Sequence, residues 1–142
     1  MADADLQRYA AFFEALRPET LERLSDVMTE DVHFVDPFND VHGLEQTEKI
    51  FRHMFDNLEN ARFVVTHSAI TDGADPRGLL RWELDSLYKG RPYRIAGMSE
   101  VGFAPDGRVN EHIDHWDAAA QFYERLPVVG SLLRLIRSRL QV

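Results

Sequence analysis

Two stretches hold side chains whose types and spacing could do chemistry. The first, His33-Phe-Val-Asp36-Pro37-Phe38, sets a carboxylate inside a run otherwise suited to burial. A buried aspartate is costly unless it is paired, protonated or put to use, and apolar surroundings make it a stronger base. The same residue could instead close the backbone turn that an Asp-Pro pair favours. The second stretch, Asn110-Glu-His112-Ile-Asp114-His-Trp116-Asp117, reads as a strand. If it is regular, Asn110, His112, Asp114 and Trp116 share one face, while Glu111, Ile113, His115 and Asp117 share the other. Histidine beside a carboxylate is an acid/base pair working near neutral pH, and Trp116 offers a wall for a flat apolar ligand. On an exposed sheet the same pair would be only a solvated couple. His112 and Asp114 could share a metal, but His115 turns away and no third ligand is evident, so neither metal nor cofactor is expected. His33, His42, His53 and His67 show no spacing that calls for chemistry and read as surface or loop residues.

These side chains need elements to position them. Leu6, Tyr9, Phe13 and Leu16 repeat at helical spacing, with Asp3 or Asp5 available as a cap. Pro18 suits the first turn of a second short helix carrying Leu21, Leu24 and Met28. A short strand, Val-His-Phe-Val-Asp-Pro, ends at Pro37, and the loop Phe-Asn-Asp-Val-His-Gly follows. From Leu44, Thr47, Ile50, Phe51, Met54, Phe55 and Leu58 make the clearest amphipathic helix. Beyond Asn60 come four β-rich runs broken by Gly, Pro and Asp, which read as an antiparallel meander. Helices followed by strands give an α+β class, a sheet packed on three N-terminal helices.

The chain has 142 residues, 44% of them hydrophobic, enough for one domain spanning 1–142 with a real core. It has no cysteine, which removes thiolate chemistry and disulfides. No run is apolar and long enough to span a bilayer, and no leader pattern opens the sequence, so a soluble, cytoplasmic protein is expected. A net charge of −8 argues against general nucleic-acid binding. The helical extension 118–142 differs: four arginines and one glutamate give it +3 and leave −11 on the remainder. Its apolar stripe, Val129, Leu132, Leu133, Ile136 and Leu140, is expected to pack on its own domain or a partner subunit, as a lid over a cavity mouth; membrane association is not expected.

The segments Leu-Gln-Arg-Tyr-Ala-Ala-Phe-Phe-Glu-Ala-Leu, Met-Thr-Glu-Asp-Val-His-Phe-Val-Asp-Pro-Phe-Asn-Asp-Val-His-Gly and Gly-Arg-Val-Asn-Glu-His-Ile-Asp-His-Trp-Asp, in that order, resemble the nuclear transport factor 2-like superfamily, and within it the ketosteroid isomerase-like and SnoaL-like branch. The resemblance implies a cone-shaped, curved, mainly antiparallel sheet of the cystatin-like type, closed on its helices around a pocket for a small apolar carbonyl compound. It implies isomerisation or cyclisation by proton transfer, with Asp36 as the proton shuttle and Tyr9 as oxyanion donor. It puts His112 and Asp114 forward as a second acid/base pair, and Phe38, Phe55, Trp82, Ser99 and Trp116 around the substrate. Ser99 stands where the isomerases keep a second carboxylic acid. A homodimer through the outer sheet face is implied as well. Arg81, Glu83 and Asp85 are similar to the water-activating Asp-Arg-Asp set of limonene epoxide hydrolases, although Leu80, Trp82 and Leu84 make the more natural inner face. A non-catalytic module that binds a hydrophobic ligand or dimerises is the other reading.

Overall fold

The computed structural model describes residues 1–141, the side chain of Glu124 excepted. Helix α1 (Ala2–Glu14) buries Leu6, Tyr9, Ala10 and Phe13, the helical stripe expected of them. Asp3 and Asp5 lie within its first turn, favourable to the helix dipole, and do not cap it. The second helix is a 3-10 helix, Pro18–Asp26, which suits the three-residue spacing of buried Leu21 and Leu24. Met28, expected on that helix, instead begins strand β1 (Met28–Val35).

The loop expected after Pro37 contains a further strand, β2 (Asp40–His42), paired antiparallel with β1. Gly43 then takes φ +96°, a left-handed conformation open to glycine, and starts α2 (Leu44–Asn57), which buries Thr47 and Phe51. The meander follows as β3 (Glu59–Ile70), β4 (Gly78–Tyr88), β5 (Arg91–Phe103) and β6 (Val109–His115). Last come α3 (Ala118–Gln121), a 3-10 turn (Tyr123–Arg125) and α4 (Val129–Leu140).

The strands form one mixed sheet in the order β2-β1-β6-β5-β4-β3. Every pairing is antiparallel except β1 with β6, which run parallel. The helices cover one face, α1 over β3 and β4, α2 over β1 and beside the 3-10 helix. On β4, Leu80, Trp82, Leu84 and Ser86 are buried while Arg81 points outward, the alternation of a half-covered sheet. The outer face is charged: Arg94 meets Asp85 at 2.5 Å, and Arg77 meets Glu100 at 3.2 Å and Glu111 at 2.5 Å. Arg81, Glu83 and Asp85 therefore stand away from the interior, and no hydrolase triad forms there.

Two expectations fail in the C-terminal half. A bulge opposite Gly102 and Phe103 makes Asn110 an extra residue, so Val109 and His112 both point inward and Asn110 is exposed. The stripe on α4 does not pack on its own domain as a lid: Val129, Leu132, Ile136 and Leu140 are exposed, and the helix rests chiefly on the Tyr123–Arg125 turn. Among the described residues no helix is long and apolar enough to cross a membrane.

Candidate functional site

The site begins on β6, where His112 is inserted under α1. Its imidazole stacks on Phe34 of the parallel neighbour β1, with centroids 4.8 Å apart, and Tyr9 and Phe13 of α1 close over it at 5.8 Å. The ring is thus held among aromatic faces, and polar atoms there must find protein partners. Nδ1 lies 2.6 Å from the Tyr9 hydroxyl, and Nε2 lies 2.7 Å from Asp114 Oδ1.

Asp114 is reached from the other side as well. Ser99 is its direct cross-strand partner on β5, and the Ser99 hydroxyl donates to the same Oδ1 at 2.5 Å. Trp82 of β4 donates its indole N–H to Ser99 Oγ at 2.8 Å. Where Asp114 accepts from His112 Nε2 and the imidazole is neutral, Nδ1 accepts from the Tyr9 hydroxyl. A five-residue chain results, converging on Asp114 from Tyr9 and His112 on one side and from Trp82 and Ser99 on the other. Burial, and next the Asp114 charge, hold the Tyr9 phenol well above its ordinary value of 10.0, keeping it a neutral donor. Among the described residues no group donates to Asp114 Oδ2. Thr29 Oγ1 is the only buried side-chain polar atom there without a partner, so the network leaves none stranded.

Against Asp114 lies a small cavity of about 20 Å³, measured as the space open to the centre of a water molecule. Phe13, Phe51, Phe63, Val65, Leu80 and Trp82 wall it, and Ser99, His112 and Asp114 form its polar side. That volume holds a single water, not a multi-ring compound. The roomy hollow implied by the resemblance is therefore nearly filled by aromatic side chains. Outside it a shallow, open hollow is lined by Val35, Asp36, Pro37 and Ile113–Asp117. Asp114 borders both spaces, and its side chain is 15% exposed.

The structure brings together four of the expected residues, Tyr9, His112, Asp114 and Ser99, with Trp82 beside them. Asp36 stands outside that hydrogen-bonded group and meets Asp114 only across the outer hollow. The Asp36 carboxylate closes a turn, accepting from the backbone N–H of Phe38 and of Asn39, both at 2.8 Å, and from the Asn39 side chain at 3.1 Å. Asp36 thus closes the turn that Asp-Pro favours and also borders the outer hollow, though not the inner cavity. Tyr9 is buried, lines neither space, and has its hydroxyl hydrogen-bonded to His112. Phe38 is exposed and clusters with Trp116, Phe122 and Tyr123 at the outer hollow; Phe55 packs on the core away from both spaces. Phe13, Phe51 and Phe63 are lining residues the sequence reading missed. Phe13 and Phe51 were placed on apolar helix stripes, but no signal separated lining from core. His115 faces outward, 3.9 Å from Glu100, and shares nothing with His112.

The SnoaL-like domain model matches residues 9–112. No curated protein matches the sequence. Among solved structures, an NTF2-like protein of unknown function from Exiguobacterium sp. 255-15 is 17% identical with a TM-score of 0.68, the match covering 80% of this chain and 98% of that one. An LEH-like epoxide hydrolase from M. tuberculosis is 16% identical with a TM-score of 0.68, over 96% of this chain and 94% of the other. A candidate SnoaL-like polyketide cyclase from Jannaschia sp. CCS1 is 17% identical with a TM-score of 0.67, over 84% and 87%. At such identities the likeness is one of fold, the NTF2-like cone.

Proposed function

The chain belongs to the SnoaL-like domain family, and from that premise we propose that it binds a small apolar carbonyl compound beside Asp114 and isomerises or cyclises it by general acid/base proton transfer. The observation that carries this reading is the Asp114 carboxylate at the junction of an aromatic cavity and an open hollow, one oxygen fixed by Ser99 and His112. A base must be oriented before its strength matters, and Asp114 is oriented from two sides.

Oδ2 takes a proton from the carbon next to the carbonyl; that C–H bond breaks and its electron pair spreads onto the carbonyl oxygen as an enolate. In isomerisation the protonated Asp114 returns the proton to a different carbon. In cyclisation the enolate carbon bonds to a second carbonyl carbon, whose oxygen takes the proton. The N–H and O–H groups of the described cavity residues are already donated, Trp82 to Ser99, Ser99 to Asp114 and His112 to Asp114. No free donor awaits an oxyanion, which favours substrates whose own conjugation carries the charge, as a 1,3-dicarbonyl does. Tyr9 lines neither space and acts as a positioning residue through His112, which holds the carboxylate from the polar side of the inner cavity.

A thermal-stability screen of conjugated carbonyl compounds should find a binder, since a ligand of the folded state raises its melting point. Exchange of the binder's α-hydrogen in D₂O, followed by proton NMR, should fall by about 10²-fold or more in Asp114→Asn, the usual contribution of a positioned acid or base. Asp36→Asn keeps the turn's acceptor oxygen and should leave exchange nearly intact. Full exchange in Asp114→Asn, or loss confined to Asp36→Asn, overturns the assignment.

A further inference from the structure

At the far edge of the sheet, β2 brings two histidines and a carboxylate to one point. His33 and His42 are direct cross-strand partners, and their rings stack at 4.3 Å with planes 7° apart. Stacking holds the two imidazoles in nearly parallel planes, one over the other. Asp40 Oδ1 lies 2.6 Å from His33 Nε2, and the ligating atoms of His33, Asp40 and His42 all lie within 4.8 Å of one another. It is the only such group among the described residues.

The second nitrogen of His33 is also accounted for. Nδ1 stands 3.5 Å from Glu111 Oε2, and Glu111 is itself gripped by Arg77 at 2.5 Å. A carboxylate on one nitrogen of a histidine, with the other nitrogen aimed at a shared point, is the arrangement that holds and orients metal-ligating histidines. The outer-sheet ion pair between Arg77 and Glu111 thereby fixes a ring on the neighbouring strand.

We propose that His33, Asp40 and His42 form a binding site for a divalent cation of the zinc, nickel and copper class on the outer edge of the β1–β2 hairpin. Two imidazoles with one carboxylate suit these ions, whereas magnesium and calcium prefer oxygen ligands. Around a tetrahedral zinc ion with bonds of about 2.0–2.1 Å, neighbouring ligand atoms sit about 3.3 Å apart. The widest present separation, 4.8 Å, closes to that by side-chain rotation. Asp40 and His42 are exposed, while His33, 30% exposed, is held by Asp40 on one side and Glu111 on the other. A fourth position is left to water. The bound ion would tie the three-residue strand β2 to β1 and so stiffen the Asp36–Asn39 turn between them. This site is separate from Asp114 and does not depend on the reading of that residue.

Full-chain protein washed with chelator and titrated calorimetrically with zinc chloride should bind one equivalent at a saturable site. His42→Ala and Asp40→Ala should each weaken binding at least tenfold, while His53→Ala, on α2, should not change it. Saturating zinc should raise the melting temperature of the parent chain and not that of His42→Ala, whose metal-free melting point checks that it folds. Excess magnesium should leave zinc binding unchanged. Zinc spread over several weak sites, affinity unaltered in both His42→Ala and Asp40→Ala, or no melting shift would overturn the proposal and leave a stacked, hydrogen-bonded pair with no ligand.

Discussion

Asp114 accepts two hydrogen bonds through one oxygen, and each donor is itself the acceptor of another. Removing any outer member leaves an atom inside without its partner. Tyr9→Phe deletes only a hydroxyl, yet strands His112 Nδ1 among Phe13 and Phe34, and should cost about 1–3 kcal/mol in urea unfolding. Its pH signature has a definite sign. The folded-state value of Tyr9 is raised, by burial first and by Asp114 second, so the unfolded chain loses this proton first as pH climbs past about 10. Stability is whole below that pH and falls above it, and in Tyr9→Phe this part of the alkaline loss should be missing when unfolding is compared at pH 9 and pH 11. An identical alkaline slope in both proteins would contradict the buried, neutral phenol. Strand parity put His112 and Asp114 on one face and Trp82 on the inner face of its strand, whereas Ser99 and the choice of the His112 face came from the family resemblance. The place of Asp36 was not legible, since an aspartate before proline suits a turn and a pocket alike, and here it serves the Phe38 and Asn39 amides while bordering the outer hollow.

The tryptophan that starts one branch of this network lies across the strand partner that lacks a side chain. Trp82 pairs with Gly97 on β5, and a methyl group there would stand 2.7 Å from Trp82 Cζ2 and 2.9 Å from Trp116 Cβ. Gly97→Ala must displace the indole and should cost about 1–3 kcal/mol, the usual range for overfilling a packed site. Its tryptophan fluorescence should shift with it. Unchanged stability and emission would show the indole is not confined. Helix α4 lies at the opposite extreme. It touches mainly the Tyr123–Arg125 turn, so deleting residues 128–142 should lower folding stability by under about 1 kcal/mol while removing exposed Leu132, Leu135 and Leu140 and raising solubility. A larger loss would mean that the helix supports the sheet. The amphipathic pattern on α4 was plain in the sequence, but a pattern records which residues would gain from cover, not what supplies it. The β2 strand and the Asn110 bulge were hidden for a related reason. Each is defined by a neighbour, β1 in one case and Gly102–Phe103 in the other, and neither leaves a local mark.

For the whole molecule, order of synthesis and order in space diverge. The strands β2 and β1 come from the first third of the chain and β5, β4 and β3 from the rest, yet β6 lies between the two groups and is the last strand made. It pairs in parallel with β1 across some eighty residues of intervening chain, as in Phe34 with His112. Such distant pairings are slow to form because the loop they close must be ordered first. Without β6 the β2-β1 and β5-β4-β3 groups would each keep an open border, and the strand that seals both is the one that bears His112 and Asp114. Completion of the Asp114 network and of the hydrogen-bonded sheet both wait on that strand, so a protein halted short of it would present bare strand edges for aggregation.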